Sequence, residues 1–221
     1  MNKSIQNPMS AIFKHLAISI VFMFIGLIFG QKFIPESFSY YGNIMFIILI
    51  IGILIMSLFS RKEIIPRSFS MNFVYAFTFI EGILLNPLLQ FYIADLGKEV
   101  FQTILISTAI LFAILASISN RREAGHYLKL GNILFAGLLG LLIASVVNLF
   151  LGGDILSILI SIVGVVIFSG YVLYDISLIK YEIQNGTLRE KNDLSIHVLN
   201  LFLDFINLLI DLLNIASFLD D

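Results

Sequence analysis

Asn200, Asp204, Asn207, Asp211 and Asn214 recur at steps of four, three, four and three near the end of the chain, among residues that are otherwise Leu, Ile and Phe. That spacing puts all five on one face of a helix. The same rhythm runs back through His197 to Asp193. An aspartate at the centre of a bilayer costs about 2.5–3.5 kcal/mol on insertion scales, so the stripe is expected to face protein or water. Its oxygens are the hard donors that cations such as calcium select. An acidic, oxygen-rich line through a bundle is what a cation path needs. Glu81, near the middle of an earlier apolar run, is followed by Asn86 and Pro87. Pro87 lacks a backbone donor and frees a carbonyl one turn earlier, which would add one more oxygen. The candidate ion pathway is therefore Glu81, Asn200, Asn207 and Asp211.

A further acid, Asp175, follows Tyr171 and Tyr174 in the preceding apolar run. Asp175 lies about five residues from the end of its run and Asp204 about nine residues into the next. At 1.5 Å per residue their depths differ by roughly 6 Å. Two carboxylates that meet do not both ionise cheaply and share a proton instead. Such a pair would be a pH-sensitive latch between two helices and, when charged, a transient calcium ligand. The plainer alternative is two separate acids, each holding a hydroxyl or backbone group in a packed bundle. Intramembrane acids are functional by default, which favours the latch. For Glu81 the plainer alternative is one interhelical hydrogen bond made while protonated. Asn148 reads as a capping amide at the outer interface. His15, His126 and His197 have no spacing that supports a shared metal site.

The elements that position these groups are expected to be membrane helices. The chain has 221 residues, 59% of them hydrophobic and 13% charged, with a mean hydropathy of +1.00. That apolar share is well above that of a soluble domain. A net charge of −2 gives no footprint for nucleic acid. Cysteine is absent, which excludes a disulfide, a thiolate nucleophile and a cysteine-ligated metal. About 20 apolar residues cross a bilayer. Seven such runs are predicted, at roughly 12–30, 43–60, 70–93, 100–119, 131–151, 154–180 and 195–219. The breaks fall at Pro35 and Glu36, Arg61 to Glu63, Asp95 to Glu99, Arg121 to Glu123, Gly152 to Asp154, and Tyr181 to Leu194, the longest polar loop. No small-residue cleavage site follows the first run, which is read as an uncleaved span. With the N-terminus inside, all of the 13 Lys and Arg except Lys32 and Lys98 fall on the inner side, which predicts N-inside and C-outside. The expected fold is all-α, one seven-helix transmembrane domain over residues 1–221. Small residues at Ala109, Ala113 and Ser117, and at Ala136, Gly140 and Ala144, predict two ordinary helix-packing faces.

Enzyme signatures are missing from the sequence. Intramembrane aspartyl proteases carry their second acid in a Gly-x-Gly-Asp motif, whereas here it stands in Leu203-Asp204-Phe205. Leu151-Gly152-Gly153-Asp154 lacks the first glycine and falls in an outer turn. No HExxH occurs, no Ser has a plausible His base, and the last run holds no Lys for a retinal Schiff base. The expectation is a protein that is not an enzyme.

Three segments carry a resemblance. They are Phe168-Ser169-Gly170-Tyr171-Val172-Leu173-Tyr174-Asp175, Leu199 to Leu208 around Asp204, and Val74-Tyr75-Ala76-Phe77-Thr78-Phe79 with Gly82 and Pro87. In these, and across all seven runs, the chain resembles the Bax inhibitor family, the transmembrane proteins bearing the Bax-inhibitor motif. Its final Asp220-Asp221 is similar to the bacterial members. The resemblance implies a seven-helix bundle with the last helix at its centre, in a bacterial plasma membrane. It also implies a pH-sensitive calcium leak in which the acids matching Asp175 and Asp204 share a proton. An inner arginine joins that gate, and here it matches either Arg61 or Arg67. An acid found in the second span of some relatives has no counterpart in residues 43–60. Some bacterial relatives are linked to membrane proteases and eukaryotic ones to cell-death control, which implies a regulatory role as the second possibility.

Overall fold

The computed structural model describes residues 7–33, 42–61, 68–188 and 190–220. Arg67 and Arg189 lie outside them, as do Pro35, Glu36, Lys62, Glu63 and Asp221. The described residues form seven α-helices and no strand: α1 (Pro8–Phe33), α2 (Gly42–Arg61), α3 (Met71–Leu96), α4 (Lys98–Arg121), α5 (Gly131–Leu151), α6 (Asp154–Gln184) and α7 (Ser195–Asp220). Six of these helices are long and apolar enough to cross a membrane. α2 spans 20 residues, and its described apolar stretch runs from Ile51 to Arg61. The fold is that of a multi-pass integral membrane protein.

α7 is the core. Every residue from Leu194 to Ile210 is buried, which is more than four turns enclosed on all sides. α1, α2, α3, α4 and α6 all pack against it. The polar stripe therefore faces protein, as its composition requires. Asn200, Asp204 and Asn207 are buried, while Asp211 and Asn214 are half-buried. The stripe begins later than its rhythm predicts. Asp193 sits in a 3-10 turn (Lys191–Leu194), where its Oδ2 accepts from the Glu190 N–H at 2.8 Å. α6 runs past Lys180 to Gln184, so the polar loop is shorter than the predicted one and Glu182 is helical.

The closest helix crossing is α1 on α3. Gly26 and Gly30 lie against Phe79, Ile83 and Asn86, and Gly82 lies against the backbone of Met23. Asn86 Nδ2 donates to the Leu27 carbonyl at 2.9 Å. Removing side chains at the crossing lets the two backbones touch. The carbonyl freed by Pro87, that of Ile83, faces Gly30 of α1 rather than an ion path. The small residues singled out by spacing behave differently. Ala109, Ala113, Ser117, Ala136 and Gly140 are exposed and Ala144 is half-buried, so neither face packs inside the chain. Period alone marks a face as smooth without saying what covers it. Gly82→Ala is expected to force α1 from α3 and cost about 1–3 kcal/mol, read as a lower Tm in detergent. Gly140→Ala, with open space around it, should leave Tm unchanged.

The link between α4 and α5 is fastened to α6. Lys180 Nζ donates to the carbonyls of Asn120 and Arg122. Ser177 Oγ accepts from the Tyr127 N–H at 3.1 Å. Ser119 Oγ donates to the Leu173 carbonyl at 2.7 Å. These contacts make α6 a fixed wall against which the site is built.

Candidate functional site

Arg61, the last residue of α2, reaches between α6 and α7. Its Nη1 donates to both oxygens of Asp175, at 3.0 and 3.1 Å. Its Nη2 donates to Asp204 Oδ1 at 2.5 Å. All three side chains are nearly closed to solvent: 7% exposed for Arg61, 2% for Asp175 and none for Asp204. The guanidinium carbon lies 3.4 Å from the centre of the Tyr171 ring, a cation–π contact that adds to the ionic ones. The fork geometry of arginine suits this double capture. One cation faces two carboxylates. Arg61 Nε, the Tyr171 hydroxyl and Asp204 Oδ2 are buried without a hydrogen-bond partner.

α2 is fastened along the α7 stripe by two more contacts. Ser60 Oγ donates to Asn200 Oδ1. Asn207 Nδ2 donates to Ser57 Oγ at 3.4 Å and to the Leu203 carbonyl at 2.8 Å. Above Arg61 a cavity of about 580 Å³ opens at the end of the bundle that carries the 3-10 turns. Arg61, Tyr171 and Asp175 form its floor, and Asn200, His197, Glu182 and Lys129 are in its walls. Asp204, Asn207, Asp211 and Glu81 do not line it.

Comparison with known proteins meets this arrangement from the other side. The family described as "Inhibitor of apoptosis-promoting Bax1" matches residues 5–221. The chain belongs to the Bax inhibitor family. It is 34% identical over 185 residues to an uncharacterized membrane protein of Streptococcus pyogenes, covering 82% of this chain and 76% of the relative. It is 30% identical over 162 residues to a membrane protein of Vibrio cholerae, covering 72% and 70%. It is 35% identical over 143 residues to human Bax inhibitor 1, covering 64% of this chain and 57% of the human protein.

In this Bax inhibitor family member some of the sequence-predicted residues come together and others stand apart. Asp175, Asp204 and Arg61 come together, and Asn200 joins them through Ser60. Arg67, the other arginine candidate, lies outside the described residues. Asp211 stands apart, two turns beyond Asp204, beside Ser161 and packed so tightly on Gly164 that any side chain there would collide with it. Asn214, next on the stripe, donates to Ser157 Oγ at 3.0 Å and Ser161 Oγ at 2.9 Å. Glu81 is buried between α3 and its neighbours, and its Oε2 has no partner. Asn148 caps α5 through its backbone carbonyl, which accepts from the Gly152 N–H at 2.9 Å, while its side-chain Oδ1 is buried and unpartnered. His15 bonds to the Tyr75 hydroxyl, His126 stacks edge-on to Tyr127, and His197 pairs with Glu182.

The polar line is not an open pore in this conformation. The cavity ends on Arg61, and the oxygens offered by sequence as a calcium ligand hold a guanidinium instead. Among the described residues no three His, Asp or Glu side chains gather as a metal-ligand group. Calcium prefers six to eight oxygens, so the pair could serve it only after Arg61 withdraws. Sequence reasoning missed Ser57, Ser60, the ring of Tyr171 under Arg61, and Glu182. The spacing Ser57-x-x-Ser60-Arg61 was the available signal, because it puts three polar groups on one side of the last turn of an apolar helix.

Proposed function

We propose that this protein is a pH-sensitive calcium leak channel, gated by the Asp175–Asp204 pair and Arg61. In this reading it crosses the bacterial plasma membrane seven times, with the N-terminus inside and the C-terminus outside, and is not an enzyme. The observation that carries it is the Arg61 clamp at the floor of a solvent-facing cavity. The placement of Lys and Arg turns that cavity toward the cytoplasm. A guanidinium plugs the path and α2 is strapped over the α7 amides, which makes this a closed state. Withdrawing α2 would expose Asp175, Asp204, Asn200 and Asn207 as ligands for a dehydrating cation, and Asp211 and Glu81 would continue the path outward.

The sign of the pH response follows from charge. The closed state needs carboxylates for Arg61 to hold, and a proton on either one removes part of that attraction. The open state thus binds more protons than the closed one, and acidification shifts the balance toward opening. Protein reconstituted alone into liposomes is expected to pass calcium, faster at pH 6 than at pH 8. Flux equal to that of empty vesicles across this range would overturn the leak. It would leave the second reading, a regulatory membrane protein that modulates a protease or stress response without conducting. The family description, which speaks of inhibition, is what favours that alternative.

A further inference from the structure

Glu182 Oε2 and His197 Nε2 lie 2.9 Å apart. Glu182 is two turns beyond Asp175 on α6, and His197 is two turns before Asp204 on α7. The helices run antiparallel, so one register aligns both pairs. They form two rungs about 10 Å apart on the same seam; Glu182, His197 and Asp175 line the same cavity, while Asp204 lies behind it. The lower rung is closed by a third helix through Arg61. The upper rung is closed directly, between the end of α6 and the start of α7.

The two rungs respond to a proton in opposite ways. Protonating a carboxylate below removes a charge that Arg61 holds. Protonating His197 above turns a hydrogen bond to a carboxylate into an ion pair, and hydrogen bonds between ionised partners are roughly twice as strong. We propose that Glu182 and His197 are a second proton-binding site in series with the Arg61 clamp, one that draws the cavity mouth shut on the acid side. Its consequence for flux rests on the leak reading above. Facing the pair across the cavity are Arg61 from α2 and Lys129 from the 3-10 turn before α5. Asp175, Tyr171 and Tyr174 face it from α6, and Asp193 from the turn before α7. α1 and α3 contribute no lining residue.

Two measurements on full-length protein test this. In liposomes, calcium flux should rise and then fall as pH drops from about 8 to 5. In His197→Gln, and in the near-isosteric Glu182→Gln, the acid-side fall should vanish, leaving flux at low pH about fivefold above wild type. The second measurement needs no flux. The chain has no cysteine, so Ser60→Cys places a single thiol at the cavity floor. Its modification by a small cationic thiol reagent, relative to free cysteine at each pH, should slow about fivefold on acidification and lose that dependence when either partner is replaced. Accessibility that follows pH identically with and without His197 and Glu182 overturns the second site and leaves the leak intact. Wild-type vesicles that pass no calcium, with thiol access still controlled by His197, reject the leak and keep the site.

Discussion

Arg61→Gln is expected to destabilise the protein by about 3–5 kcal/mol at neutral pH, the typical result of removing one partner from a buried ion pair. The cause is the pair it leaves behind. Asp175 and Asp204 are 2% and 0% exposed, and no other basic side chain in the described residues contacts them. The loss should show as a lower Tm in detergent. It should shrink as pH falls from 8 to 5, because protonation removes the stranded charge. Combining Arg61→Gln with Asp175→Asn and Asp204→Asn should recover most of the stability, since no charge is then left buried without a partner. A triple variant as unstable as Arg61→Gln would show that Arg61 acts through packing on Tyr171 rather than through charge.

Asp204→Asn should move the midpoint of the pH–flux curve, whereas Asp211→Asn should scale the flux and leave the midpoint in place. Asp204 is bonded to Arg61, which also holds Asp175, so removing its charge changes how tightly the whole cluster is held. Asp211 lies two turns further along α7, against Gly164 and Ser161, with no contact to that cluster. In the proposed leak, its loss would weaken cation occupancy outside the gate. A midpoint fixed in Asp204→Asn but shifted in Asp211→Asn would reverse the assignment.

Much of this was legible because the bilayer makes polar residues expensive. Five polar side chains at helical spacing in an apolar run are driven toward a protein interior, and α7 is enclosed on every side from Ser195 to Ile210. The depth argument for Asp175 and Asp204 succeeded for the same reason, because helices that share a membrane share a ruler. What failed was whatever depends on the neighbour. The small faces of α4 and α5 turn outward, and the crossing that does use glycines, Gly26 and Gly30 against Gly82, joins helices that are not consecutive in sequence. Glu182 escaped notice because a hydropathy window ends where Lys180 begins a polar stretch, while the helix itself continues another turn. Ser57 and Ser60 read as ordinary small residues until α2 is laid along Asn207 and Asn200.

The burial of α7 also sets an order of events in the making of this protein. A ribosome delivers the helices in order, and the one that α1, α2, α3, α4 and α6 all pack against comes after every one of them. Until then α1 and α3 have their glycine crossing, but α6 lacks Asp204 beside Asp175, and Arg61 at the end of α2 has only one of its two acids. The late helix is also a reluctant guest in lipid, since Asp204 and Asp211 each raise the cost of insertion by about 2.5–3.5 kcal/mol. The five helices that pack on it form a receptive groove, in which Ser57, Ser60 and Arg61 of α2, Tyr92 of α3 and Ser157 and Ser161 of α6 meet its stripe. Completing the bundle is therefore a docking step that waits for α7, with a helix of the chain itself as the ligand.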